Sequence, residues 1–193
     1  MNLEVVSEVL YLSNSHISYG RSFEVTEQSN RSDFMSEPDA STANQIVLGG
    51  ISVSTATPEL PSPLLTASGQ LTNASLVLVK ITSECGVEGH SYLFSPNAKL
   101  LPALASAVSV AFDEVKGRRC SPEMNTDYLL DKFKLFGGTG ILTMAFAAID
   151  MASWDLLGRA LGKPLYRLWG GTNTTITSYE SSGPGRKVSE QWQ

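Results

Sequence analysis

Ala148-Ile149-Asp150-Met151-Ala152-Ser153-Trp154-Asp155 is the stretch whose reading decides the fold. Apolar residues extend from it in both directions, through Met144 upstream and Leu157 and Leu161 downstream. They recur on every turn of a helix and cover nearly all of its circumference, so a central, buried helix is predicted here. Thr139 is the expected N-cap. Gly162 is the expected stop, because glycine accepts the left-handed conformation that closes a helix, and Pro164 then opens a short amphipathic turn through Leu165 and Leu168 to Gly170.

Upstream lie two more helical patterns. Leu100, Leu101, Leu104, Val108 and Phe112 form an apolar stripe that ends near Gly117. Asn125 is a plausible N-cap for a helix that carries Tyr128, Leu129, Phe133 and Phe136 and stops at Gly137-Gly138. Further upstream the period changes to that of strands. Ile46, Leu48, Ile51 and Val53 read as a strand ending near Pro58, and Ala74 to Thr82 as a second strand with a run buried on both faces at Leu76-Val77-Leu78-Val79. A turn at Ser83 to Gly86 leads to a third strand, Val87 to Phe94. Pro58, Pro61, Pro63 and Gly69 mark the connection between the first two strands as a long loop. The expectation is an α+β unit: a three-stranded antiparallel meander followed by about three helices packed on one sheet face.

Residues 1–45 differ from this pattern. Nine of them are Ser and their apolar residues cluster only weakly, so a disordered extension is expected, with an interaction tail as the functional alternative. The formal net charge of -5 and pI near 5.0 argue against a nucleic-acid or anionic-membrane partner, since an acidic surface offers neither a counter-charge. No apolar run approaches the roughly 20 residues of a membrane span. Cys85 and Cys120 are too few for a disulfide framework, and the amino terminus lacks a charged-then-apolar leader pattern. A cytosolic setting follows as the default.

The central stretch Ala148 to Asp155, continued by Gly158, Gly162-Lys163-Pro164-Leu165 and Leu168-Trp169-Gly170-Gly171, resembles the end of the N-terminal capping domain in the mandelate racemase and muconate lactonizing branch of the enolase superfamily. Thr66-Ala67-Ser68-Gly69, Leu76-Val77-Leu78-Val79 and Gly89-His90-Ser91-Tyr92-Leu93-Phe94 carry the resemblance upstream. It implies a capping domain over residues 46–171 that closes the mouth of a (β/α)-barrel, with two loops touching the substrate's distal group: Pro61 to Leu71 and Phe94 to Asn97. The substrate-capping positions it implies are Leu64, Thr66, Ser68, Leu71, Tyr92 and Phe94. Leu64, Leu71, Tyr92 and Phe94 suit an apolar wall, although for Tyr92 a place in the core competes with that role. Ile176 to Ser182 resembles the first barrel strand, with Ser181 near the substrate, while an ordinary Ser-Ser-Gly turn is the alternative. Two departures stand out: Pro96 occupies a position where a tyrosine is expected, and Ser68 one where an apolar residue is expected.

The reaction that the resemblance implies is proton abstraction beside a carboxylate in a small 2-hydroxy acid or acid sugar, assisted by magnesium, giving racemisation, epimerisation or dehydration in a homo-oligomer. Magnesium takes hard oxygen ligands in octahedral geometry, drawn in a barrel from the ends of successive strands. After Gly171 the sequence holds 22 residues, in which Glu180 and Glu190 are the acids and no His occurs; a whole barrel takes about 250. The expectation is therefore a truncated barrel start in residues 172–193, with no catalytic and no metal residue of its own. Lys132 and Lys134 imitate the family's lysine pair, but positions i and i+2 diverge on a helix, which makes them surface residues. Asp150 and Asp155 diverge by roughly 140 degrees and are poor joint ligands; Asp155 with Arg159 reads as a helical ion pair. A structural hydrogen bond is the expected role of His90, and packing that of both cysteines. A free-standing binding module and an inactive fragment are the competing functions.

Overall fold

A computed structural model describes residues 46–66 and 69–172. Among the described residues five strands come first: β1 Leu48–Ala56, β2 Glu59–Thr66, β3 Gly69–Asn73, β4 Ser75–Ser83 and β5 Glu88–Ser95. Four helices follow: α1 Leu101–Val115, α2 Pro122–Lys132, α3 Ile141–Leu161 and the single turn α4 Leu165–Leu168. β1, β4 and β5 form an antiparallel sheet in the order β1-β4-β5, the predicted meander.

The sheet's helix-facing side is set by alternation. Val77, Val79, Ile81 and Leu93 point into the core with Leu48, and Ile51 and Val53 pack against it. The odd spacing between Leu48 and Ile51 has a physical cause. The β1–β4 register shifts between Leu48 and Gly50, so a bulge returns Ile51 to the face that Leu48 already uses.

The helices close over this face. α1 contributes Leu101, Leu104, Val108, Ala111, Phe112 and Val115. α3 lies across β5 and β4 and buries Ala145, Ala148, Ile149, Ala152 and Leu156 on one side. Its opposite side, with Ala147, Met151 and Arg159, is exposed. α3 is therefore central without being enclosed all round. By length and composition, this 21-residue helix is apolar enough to cross a membrane. That corrects the expectation that no run comes close. About half of it is buried against the protein, as in the core helix of a globular unit.

Three local expectations are corrected. The proline-rich connection is not an open loop: β2 and β3 pair as an antiparallel hairpin, whose register skips from Glu59↔Asn73 to Leu64↔Leu71. Pro61 and Pro63 fall in the skipped part, where a missing N–H leaves no gap in the ladder. Asn125 is not a cap. Helix α2 starts at Pro122, and the Asn125 backbone already donates to Ser121 O at 2.9 Å. The buried Asn125 side chain instead accepts from Arg118 Nε and donates to Arg119 O. Thr139 does not cap α3 either; Gly140, with φ of 89°, occupies that position.

Gly89 on β5 shows how closely sheet and helix approach. A Cβ there would overlap Ala152 O and stand 2.6 Å from Leu156 N. Gly89→Ala is expected to destabilise the protein by about 2–3 kcal/mol, because the α3 backbone has to shift, and urea unfolding followed by circular dichroism measures it. Asn125→Ala, which removes the acceptor of Arg118 Nε and one of the two donors to the Arg119 carbonyl, the Ser121 N–H being the other, should cost about 1–2 kcal/mol in the same assay.

Candidate functional site

Strand register brings the two predicted capping segments to one end of the sheet. Ala56 is paired with Leu76, and Leu76 with Phe94, so β1 ends, β4 begins and β5 ends in one row. The β2–β3 hairpin leaves and re-enters the sheet at this row, and the Ala74 N–H donates to Pro58 O at 2.9 Å to close its base. The turn after β5 is held locally. Ser95 Oγ donates to Asn97 O at 2.9 Å, and Asn97 Oδ1 accepts from the Lys99 N–H at 3.0 Å, capping the 3-10 turn Ala98–Leu100.

On the face away from the helices this end is apolar. Phe94 and Leu76 share the row with Ala56, and Tyr92 and Leu78 occupy the next one with Ser54. Tyr92 is 52% exposed and Phe94 43%. That corrects the core placement weighed for Tyr92, which stands on the open face because it alternates with buried Leu93. On the hairpin, Leu64 is 41% exposed, and Leu71 is its direct cross-strand partner and half-buried. Thr66 pairs with Gly69 at the hairpin's end. Ser68 and Ser181 lie outside the described residues. Leu64, Thr66, Leu71, Tyr92 and Phe94 thus lie on the hairpin and the open sheet face that meet at this end. Leu76 and Leu78 belong to the same face. Strand alternation carried the signal for both, but a run apolar at every position hid which ones faced outward.

The other end of the open face is charged. Lys80 Nζ meets Glu88 Oε1 at 2.8 Å, which holds the Glu88 carboxyl below its ordinary range. His90 lies between Glu88 and Asp155, with Nε2 3.9 Å from Glu88 Oε2 and Nδ1 3.7 Å from Asp155 Oδ2. Its backbone N–H donates to Asp155 Oδ2 at 2.8 Å, and the same carboxylate takes Arg159 Nε at 2.8 Å. Asp155 therefore fastens β5 to α3. Asp150 points elsewhere and accepts from Thr126 Oγ1, while burial raises its carboxyl above the usual range. Lys132 pairs with Glu114 and Lys134 with Asp131, both at the surface.

Among the described residues no three His, Cys, Asp or Glu side chains gather into a group that could hold a metal ion. These residues do not fit a magnesium centre.

The two thiols differ. Cys120 is buried, and desolvation pushes it up to about 12. Cys85 is exposed in the β4–β5 turn, which corrects the expectation of packing there. Ser83 Oγ lies 3.2 Å from its sulfur and holds the thiol below its ordinary value.

An antiparallel sheet backed by helices, with a hairpin and a capped turn at one end, defines a class: an α+β unit whose described residues hold no group of three metal-ligating side chains. The family follows from comparison. Residues 50–170 match the model of the mandelate racemase / muconate lactonizing enzyme N-terminal domain, and the chain belongs to that family, within the enolase superfamily. The L-talarate/galactarate dehydratase of Salmonella typhimurium is 29% identical over 131 residues, which are 66% of this chain and 32% of the dehydratase. The arabinonate dehydratase of Saccharolobus solfataricus is 36% identical over 61 residues, 30% of this chain and 16% of that enzyme. An enolase from Bradyrhizobium, solved with magnesium and mandelic acid, superposes with a TM-score of 0.62 at 34% identity over 66% of this chain and 35% of that one. The chain thus spans about a third of the length of the dehydratase from Salmonella and of the Bradyrhizobium structure.

Alkylation at pH 8 should label Cys85 and spare Cys120 in the folded chain, and Ser83→Ala should slow labelling of Cys85 by removing the bond that favours its thiolate. The Cys120 shift also has a sign. An unfolded thiol titrates near 8.5, so the unfolded chain loses this proton first, and stability is unaffected below that pH. It then falls by up to about 1.4 kcal/mol per pH unit as the pH rises toward 12; Cys120→Ala should flatten that slope in urea titrations.

Proposed function

We propose that residues 46–171 form the substrate-capping domain of an enzyme that abstracts a proton beside the carboxylate of a small 2-hydroxy acid or acid sugar with the help of magnesium. The observation that carries this reading is the shared row at Ala56, Leu76 and Phe94, which puts the hairpin and the β5 turn at one end of the sheet. Two segments side by side can close over a ligand and exclude water. The relatives support the chemistry: the Salmonella and Saccharolobus relatives are named as acid-sugar dehydratases, and the Bradyrhizobium enolase holds magnesium and mandelic acid.

In this reading the chain contributes specificity and shielding, while the oxygen ligands for magnesium come from outside the described residues. The 193-residue chain alone is inactive, works in the reducing setting its two free thiols suit, and serves a homo-oligomeric enzyme. Incubation with magnesium and mandelate, L-talarate or galactarate is expected to give neither racemisation nor dehydration by polarimetry and ketoacid assay. Reproducible turnover that a chelator abolishes would overturn the inactivity.

A further inference from the structure

The connection between α2 and α3 carries the two most exposed large apolar side chains among the described residues. Leu135 is 93% exposed and Phe136 75%, and every residue from Lys134 to Ile141 is exposed. The turn that presents them is held in place. The Phe136 N–H donates to Phe133 O at 2.9 Å, the Phe136 ring lies 6.1 Å from that of Phe133, and Phe133 in turn lies 5.6 Å from Phe146 of the core. Thr143 Oγ1 donates to Gly138 O at 2.9 Å and ties the far side of the turn to α3. Two ion pairs involve residues beside it in the chain: Lys134 with Asp131 at 2.9 Å, and Lys132 with Glu114 at 3.0 Å. The Lys134 and Asp131 side chains stand well out in water.

We infer that this turn is a contact surface for a second copy of the same chain, related by a two-fold axis. The inference deepens the homo-oligomeric part of the reading above and is independent of the capping role. Large apolar side chains held out in water gain from burial, and a turn already fixed in place loses little freedom when it docks. Charge selects the occupant. The two pairs comprise two cations and two anions, so a partner of one sign meets as much repulsion as attraction. A two-fold copy presents the same side chains in reverse order: Lys134 of each copy comes near Asp131 of the other, and Leu135 and Phe136 meet their own counterparts near the axis. An exposed ion pair is worth little, so Lys134 and Asp131 exchange partners at small cost. Two apolar side chains cover only part of the ~800 Å² per partner of a standard interface. The association is therefore weak and depends on concentration.

Sedimentation velocity of the 193-residue chain over a wide range of concentrations is the test. A reversible monomer–dimer equilibrium is expected, and Leu135→Ser combined with Phe136→Ser should weaken it by at least about tenfold with an unchanged circular dichroism spectrum, since both side chains are at the surface. Lys134→Glu leaves two anions at this position of each copy, and Asp131→Lys leaves two cations. Each of these variants alone should dimerise more weakly than the parent, and an equimolar mixture of the two should recover the association as a heterodimer. If the serine variant misfolds, the mixing experiment decides by itself. A chain that stays monomeric at every concentration overturns the contact and leaves the capping role untouched. A dimer that the serine substitutions do not weaken leaves a homo-oligomer standing and overturns this surface. Weakening by the serines without recovery in the mixture overturns the two-fold arrangement. Flotation of a monomeric parent chain with phosphatidylcholine vesicles would put a lipid surface in place of the second copy, and the inference would fall.

Discussion

The close approach of β5 to α3 is the constraint on which the rest of the structure depends. Gly89 has no side chain because Ala152 O and the Leu156 backbone occupy the space one would need. Ala145, Ala148 and Ala152 keep the facing side of α3 small enough to allow that distance. Polar contacts then fix the alignment: Ser91 Oγ donates to Ala148 O at 2.6 Å, and Asp155 accepts the His90 N–H. A helix held at this distance fixes the plane of the sheet, and with it the open face on the other side.

The neighbourhood of the hairpin and the β5 turn follows from that placement through register alone. Once β4 lies between β1 and β5, the ends of three strands fall in one row, and the connections that leave from it are neighbours whatever their sequence. Interior positions of the domain are committed to packing. The hairpin and the β5 turn carry fewer such obligations, so they can vary while the scaffold stays constant, the usual division between loops and the elements that hold them. Membership of the mandelate racemase / muconate lactonizing enzyme family agrees with this division, because the match to the family model spans the scaffold and the hairpin together.

Charge is distributed unequally over the open face. Lys80, Glu88 and His90 occupy the end remote from the hairpin, while Leu76, Leu78, Tyr92 and Phe94 occupy the near end. Ion pairs between exposed groups contribute little to stability, so the charged end serves mainly to keep that part of the sheet solvated. At the apolar end Leu76 is buried, while Tyr92 and Phe94 remain exposed among the described residues.

Much of this was legible in the residues. Whereas the bulge between Leu48 and Gly50 showed only in the strand register, period separated the three meander strands from the helices, and Asp155 with Arg159 was recognisable as an ion pair from spacing. These features are local, and local sterics and hydrogen bonding decide them. The hairpin was not legible, because Pro61 and Pro63 signal a loop unless the ladder is known to skip them. The role of Asn125 was hidden as well, since its partners Arg118 and Arg119 lie seven and six residues before it in the α1–α2 connection, whose path periodicity does not specify. The outward face of Tyr92, the exposure of Cys85 and the single row from which the hairpin and the β5 turn both leave were decided by tertiary structure. Each depends on which strand lies beside which and on where a helix covers the sheet, and both are settled by contacts between residues far apart in the chain.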